Sequence, residues 1–128
     1  MAARLPPISD TEMEVLKVLW DHGPGTVRAV DGHLRALGWR KAYTTVLTLL
    51  HRLQAKGYVG SDTKDVAHVF RAAVSRDRLL RRRLKDLAHQ LGDGTATPLV
   101  LALVEGQRFK PEEIERLRRM LDELEGKT

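Results

Sequence analysis

Apolar side chains recur along this chain at helical and then alternating spacings, and those spacings predict its elements. Ser9 followed by Glu12 fits a reciprocal helix-start box, and Met13, Leu16, Val18, Leu19 and Trp20 give a first helix a broad apolar face before the Gly23-Pro24 break. Thr26 can cap a second helix with Val27, Val30, Leu34 and Leu37 on its buried side, ended by Gly38. From Ala42 to Lys56, Val46, Leu49, Leu50 and Leu53 recur every three or four positions, so a third helix turns one face to a core and Gly57 stops it. Tyr58 to Phe70 reads as a short β-hairpin: Tyr58-Val59 first, Ser61 to Asp65 as the polar connection, and Val66 to Phe70 second. Alternation puts Val66, His68 and Phe70 on one face and Ala67 and Val69 on the other, and does not say which is buried.

Once the apolar side of the third helix is set, its opposite side follows. That side holds Thr44, Thr45, Thr48 and Arg52, with Lys41 just before the helix and His51 and Lys56 on the flanks. Threonine loses rotamer freedom in a helix, so three on one exposed face call for a reason other than local stability. Contact with DNA is such a reason: short hydroxyls approach bases or phosphates, a threonine methyl packs on a thymine methyl, and Arg52 can take guanine bidentately. A merely solvated face is the competing reading. Arg28 sits at the start of the second helix, where free amides can meet a phosphate. In the hairpin only Lys64 and His68 suit a phosphate, and Asp62 and Asp65 argue against a strongly basic tip.

Beyond Phe70 the pattern changes. Ser75 can cap a helix to Leu91 in which Leu80, Leu84, Leu87 and Leu91 form a seam that seeks a partner helix. Arg76, Arg78, Arg81, Arg82, Arg83 and Lys85 crowd its other faces; we read them as the solvated flanks of the seam rather than as a second DNA surface. Pro98 opens a short helix that Leu99, Val100, Leu101, Leu103 and Val104 make apolar nearly all round, so it must be enclosed. Pro111 opens a last helix, with Glu112 and Glu113 at its positive end and Ile114, Leu117, Leu121 and Leu124 as its stripe. Three short helices this rich in leucine do not readily close a core alone, so pairing of two copies is expected ahead of packing back on the same chain.

Composition narrows the function classes. The chain has 128 residues and a net charge of +5, with ten basic against seven acidic residues up to position 74 and twelve against ten after it. The charge favours a polyanionic partner but is spread along the chain. With no cysteine there is no disulfide, thiol sensor or thiolate metal site, and the five histidines lack metal-ligand spacing, so neither metal nor cofactor is expected. No glycine-rich phosphate loop, nucleophile elbow or HExxH occurs, which argues against an enzyme. No apolar run reaches membrane-spanning length and the N-terminus lacks a signal-peptide core, so a cytoplasmic protein without membrane insertion is expected.

Five segments resemble the BlaI, MecI and CopY group of bacterial winged-helix repressors: LKVLWDHGP (16–24), TVRAV (26–30), YTTVLTLLHRLQAKG (43–57), PLVLALVE (98–105) and PEEIERL (111–117). The resemblance implies a mainly α fold with a small β-hairpin: a winged helix-turn-helix domain over residues 1–74 and a three-helix dimerisation domain over 75–128. It implies a homodimeric repressor on a palindromic operator of double-stranded DNA, each copy reading one half-site. Arg28, Lys41, Tyr43, Thr44, Thr45, Thr48, Arg52 and Lys64 are then the expected DNA-facing residues. Leu80, Leu84, Leu87, Leu91, Leu99, Leu101, Leu103, Val104, Leu117, Leu121 and Leu124 are the expected dimer contacts. In the antibiotic-resistance branch a membrane-bound sensor protease triggers cleavage of the short apolar helix at an asparagine-phenylalanine pair. That point falls at Ala102-Leu103, neither of which matches, so the release signal stays open. The copper-responsive branch senses metal through cysteines, which this chain lacks. Two further departures are Ala42 and Lys110, where a capping hydroxyl is usual. A winged-helix adapter that binds protein instead of an operator is the alternative from another class.

Overall fold

The computed structural model describes residues 5–63 and 68–127. Among them the order is α1 (Asp10–His22), α2 (Val27–Ala36), α3 (Tyr43–Lys56), β1 (Val59–Asp62), β2 (Val69–Ala72), α4 (Arg76–Leu91), α5 (Thr97–Gly106) and α6 (Pro111–Gly126). The chain divides into two compact units, one through Leu80 and one from Arg81.

In the first unit the helix starts are built as their residues dictate. The Ser9 hydroxyl accepts the Glu12 amide at 3.1 Å while Glu12 Oε1 accepts the Ser9 amide at 2.9 Å, and the Thr26 hydroxyl accepts the Ala29 amide at 3.1 Å. The core joins Val15, Leu16, Val18 and Leu19 of α1, Val27, Val30 and Leu34 of α2, and Val46, Leu49, Leu50 and Leu53 of α3, with Tyr58, Val59, Phe70 and Leu79 closing it. Met13 and Trp20 are only half-buried against this core, and Val15, outside the expected stripe, is as fully buried as Leu16.

Three expectations are corrected. Leu37 is 72% exposed rather than on the buried side of the second helix. The helix stops at Ala36, and Gly38, at φ 98°, turns the chain so that the Trp39 amide reaches back to the Leu34 carbonyl at 3.1 Å and the Gly38 amide to Arg35 at 3.0 Å. This left-handed cap brings Trp39, not Leu37, against the core. The hairpin is also displaced from Tyr58-Val59 and Val66–Phe70. The strands pair antiparallel as Val59↔Ala72, Gly60↔Arg71, Ser61↔Phe70 and Asp62↔Val69. Tyr58 is claimed by the end of α3: its amide caps Leu53 at 2.9 Å and its hydroxyl donates to the Pro6 carbonyl at 2.6 Å. Phe70 is buried and His68 is exposed, and Val66 and Ala67 lie outside the described residues. Phe70 also exchanges two backbone hydrogen bonds with Gly25, at 2.9 and 2.8 Å, which pins β2 to the entry of α2.

Lys56, expected on the polar flank of the third helix, turns the other way. Its ammonium lies 2.7 Å from Glu12 Oε1 and 2.9 Å from the Pro7 carbonyl, closing the N-terminal segment over α1 and the end of α3. Burial pushes the Glu12 carboxyl up, yet the bonds from Lys56 and from the Ser9 amide and hydroxyl outweigh it and leave the group below its ordinary value. The first turn of α4 belongs to the same unit: Trp20 Nε1 donates to the Val74 carbonyl at 2.8 Å, Arg76 lies over the Trp20 ring and pairs with Asp21, and the Ser75 hydroxyl accepts the Arg78 amide at 3.1 Å.

In the second unit Pro98 lies in the first turn of α5 and Pro111 opens α6. Lys110 offers no capping oxygen, and Glu113 Oε1 instead accepts its amide at 2.9 Å.

Candidate nucleic-acid interface

The side of α3 opposite the core is exposed at Thr44, Thr45, Thr48, His51 and Arg52, while Val46, Leu49, Leu50 and Leu53 are buried. The Thr48 hydroxyl donates to the Thr44 carbonyl at 2.9 Å, so it offers solvent a methyl and acceptor lone pairs. Arg52 and Arg28 are exposed and form no ion pair among the described residues.

Ala42 gives α3 no side-chain cap, and the turn before it is held by other means. Arg35 pairs with Asp31 at 2.9 Å and donates to the Lys41 carbonyl at 3.2 Å, Trp39 Nε1 donates to Glu14 Oε2 at 2.6 Å, and the Lys41 ammonium sits 5.4 Å from the Trp39 ring centroid. Lys41 is therefore drawn over the indole rather than extended from the helix start. Lys64 lies outside the described residues.

Beside this exposed face runs a groove of about 530 Å³ between the start of α2, one edge of α3 and the root of β2. Arg28, Tyr43, His51 and His68 line it, with Leu47 and Phe70 as its apolar floor. The spacing of Tyr43, Leu47 and His51 makes a visible stripe in the sequence; its association with Arg28 and His68 exists only in the fold.

The expected dimer residues are laid out in solvent. Leu80, Leu84, Leu87 and Leu91 of α4, Leu101, Leu103 and Val104 of α5, and Leu117, Leu121 and Leu124 of α6 are all exposed, and Leu99 is half-buried. Leu84, Ala88, Leu99, Val100 and Leu103 line an apolar groove of about 290 Å³ between α4 and α5. Ala102 is exposed within α5. Among the described residues no helix is long and apolar enough to cross a membrane, and no group of three or more His, Cys, Asp or Glu is arranged to hold a metal ion.

Two packed helices, a third with an exposed polar face, and a hairpin behind it define the winged helix-turn-helix class of regulator. Within that class, the chain belongs to the penicillinase repressor family, whose model matches residues 8–123. It is 37% identical to the transcriptional regulator BlaI of Mycobacterium tuberculosis, over 97% of this chain and 89% of that protein. It is 27% identical to the penicillinase repressor of Bacillus licheniformis, over 94% of this chain and 93% of that one. In fold it is similar to a MarR family protein from Bacillus stearothermophilus, with a TM-score of 0.51, 21% identity, and coverage of 95% of this chain and 76% of that one. The family is one of transcriptional repressors, not enzymes.

Proposed function

We propose that this chain is a DNA-binding repressor that acts as a homodimer on an inverted-repeat operator, with α3 of each copy in the major groove of one half-site. The observation that carries the reading is the two-sidedness of α3: one side sealed into the core, the other presenting Thr44, Thr45, Thr48 and Arg52 to solvent. In this reading Arg28, Tyr43 and Lys64 meet the phosphate backbone around the reader helix, and Lys41 joins them by leaving the Trp39 ring for a phosphate. Residues 1–74 form the reading module and 75–128 the dimerisation segment. The half-exposed leucines of α4, α5 and α6 support pairing, since an apolar surface of this extent marks an interaction face. Charge supports it too: α4 carries six basic against two acidic side chains and α6 six acidic against three basic, so α4 of one copy attracts α6 of the other. Pairing two modules raises the effective concentration at the second half-site, and an occupied promoter excludes polymerase. The release signal is left open in this reading: a cut within α5 at Ala102-Leu103 by a membrane-bound sensor protease would part α6 from the reading module, but neither residue matches the pair cut in the antibiotic-resistance branch.

Footprinting over the upstream region of its own gene should give a symmetrical protected site. Binding should weaken linearly in log[salt], with a slope of about 0.9 per phosphate neutralised. Arg52→Ala should cost roughly 1 to 3 kcal/mol of operator affinity and leave the dimer intact. A protein-binding adapter would show no salt-dependent duplex binding, and equal operator binding by the variant would remove Arg52 from the reading set.

A further inference from the structure

We propose that Arg28, His51 and His68 together form a proton-gated seat for a DNA backbone phosphate, so that operator affinity rises as pH falls through the imidazole range. The proposal rests on the operator reading above and adds a regulatory property to the same surface.

The groove beside α3 has three walls, and each supplies a positive or titratable group. Arg28 comes from the first turn of α2, where backbone amides lack helical partners, Tyr43 and His51 from α3, and His68 from the approach to β2. These are the charged and titratable groups facing the groove; no carboxylate lines it among the described residues. The walls are fixed to one another. The Gly25–Phe70 exchange ties α2 to β2, and the buried Phe70 ring stands 6.1 Å from the His51 ring at 52°. Both imidazoles are exposed and line one space. A space of about 530 Å³ that is open to solvent is too wide to enclose one free anion, but it suits a backbone strand passing across it.

Imidazole is the side chain whose ordinary titration falls between pH 5 and 8. A phosphate beside it favours the protonated form, so binding takes up protons and each imidazole contributes only when charged. A shift of one pKa unit on binding is a tenfold effect. The full-length protein should therefore hold its operator about ten- to a hundredfold more tightly at pH 5.5 than at pH 8 at constant ionic strength. The salt slope should steepen as the imidazoles charge, by at most about 0.9 for the one phosphate they seat.

The test is the pH profile of duplex affinity for the wild type, for His51→Gln and His68→Gln singly and together, and for His22→Gln/His33→Gln. The last pair removes two imidazoles that stack on each other at 3.7 Å and do not line the groove. The expected result is a profile that flattens in steps across the first set and survives in the last. A flat wild-type profile with intact pH 8 binding overturns the seat and leaves the operator reading standing. So does a doubly substituted protein that keeps the wild-type profile, or a His22/His33 variant that loses it. Inorganic phosphate that displaces the duplex beyond its ionic-strength effect would show the groove to be a free-anion site and overturn the proposal. Absence of duplex binding at every pH overturns the operator reading itself.

Discussion

The unit through Leu80 and the unit from Arg81 place their apolar residues in opposite ways. In the first, the apolar stripes of α1, α2 and α3 meet one another and Phe70, Leu16, Leu34, Leu50 and Leu53 are lost to solvent almost completely. In the second, α5 is apolar nearly all round and α6 carries a regular stripe, yet Leu101, Leu121 and Leu124 each remain more than half exposed. Periodicity is equally clear in both. What differs is the number of faces that one copy can cover: three helices and a hairpin close around a centre, whereas the short helices from Arg81 have more apolar surface than one another's backs can bury. A module that finishes its own core can be read, mutated and unfolded as a monomer. A segment that does not is where the proposed pairing would act.

The comparison breaks most sharply at Leu121. It is 63% exposed in one copy, and a two-fold interface presents it twice. Replacing it with aspartate should forfeit about 3 to 6 kcal/mol of association, from burial of roughly 1.5 to 3 kcal/mol per leucine. Sedimentation velocity should then show a monomer at micromolar concentration, with the far-ultraviolet circular dichroism of the reading module retained. A variant that sediments as the wild type does would mean that α6 is not in the interface.

Phe70→Ala attacks the other side of the contrast. Phe70 is 1% exposed, packs in the core and anchors Gly25, so its truncation should cost about 3 to 5 kcal/mol in urea unfolding. The loss should not depend on protein concentration, whereas that of Leu121→Asp should. If unfolding of the first unit in Phe70→Ala depends on protein concentration, the first unit is not an independent fold and the two regions are coupled.

Where the sequence could be read, one local rule decided the outcome. The face of α3 was legible because four apolar residues at helical spacing leave no second choice for Thr44, Thr45, Thr48 and Arg52. The caps at Ser9 and Thr26 were legible because the partner amide is three residues away. Leu37 was misread because periodicity continues past Ala36 while the turn at Gly38 ends the helix, and only the positive φ reveals which residue swings inward. The hairpin was misplaced because Tyr58 satisfies both a strand pattern and a helix cap, and the cap takes its amide. The Glu12–Lys56 pair joins opposite ends of the reading module, and the Arg28, His51 and His68 groove draws on three elements. No spacing in the chain encodes either association. From Arg81 onward the leucine pattern leaves apolar faces exposed, and no spacing in it says what covers them.

The smallest effect tests how finely the first unit is tuned. Ala42 leaves the amides at the start of α3 without a side-chain acceptor, and the preceding turn depends on the Arg35, Trp39 and Lys41 contacts instead. Ala42 already has the extended backbone of a capping residue, at φ −65° and ψ 151°, so serine fits there without rearrangement. Ala42→Ser should therefore add about 1 kcal/mol to the unfolding free energy of the reading module, the usual value of a capping hydroxyl. Because that gain lies wholly within the first unit, the dimer dissociation constant should not move. Guanidinium unfolding and sedimentation equilibrium on the same preparation separate the two. A gain in association instead of stability would mean that the start of α3 communicates with the pairing surface, and the division between a finished core and an unfinished one would have to be redrawn.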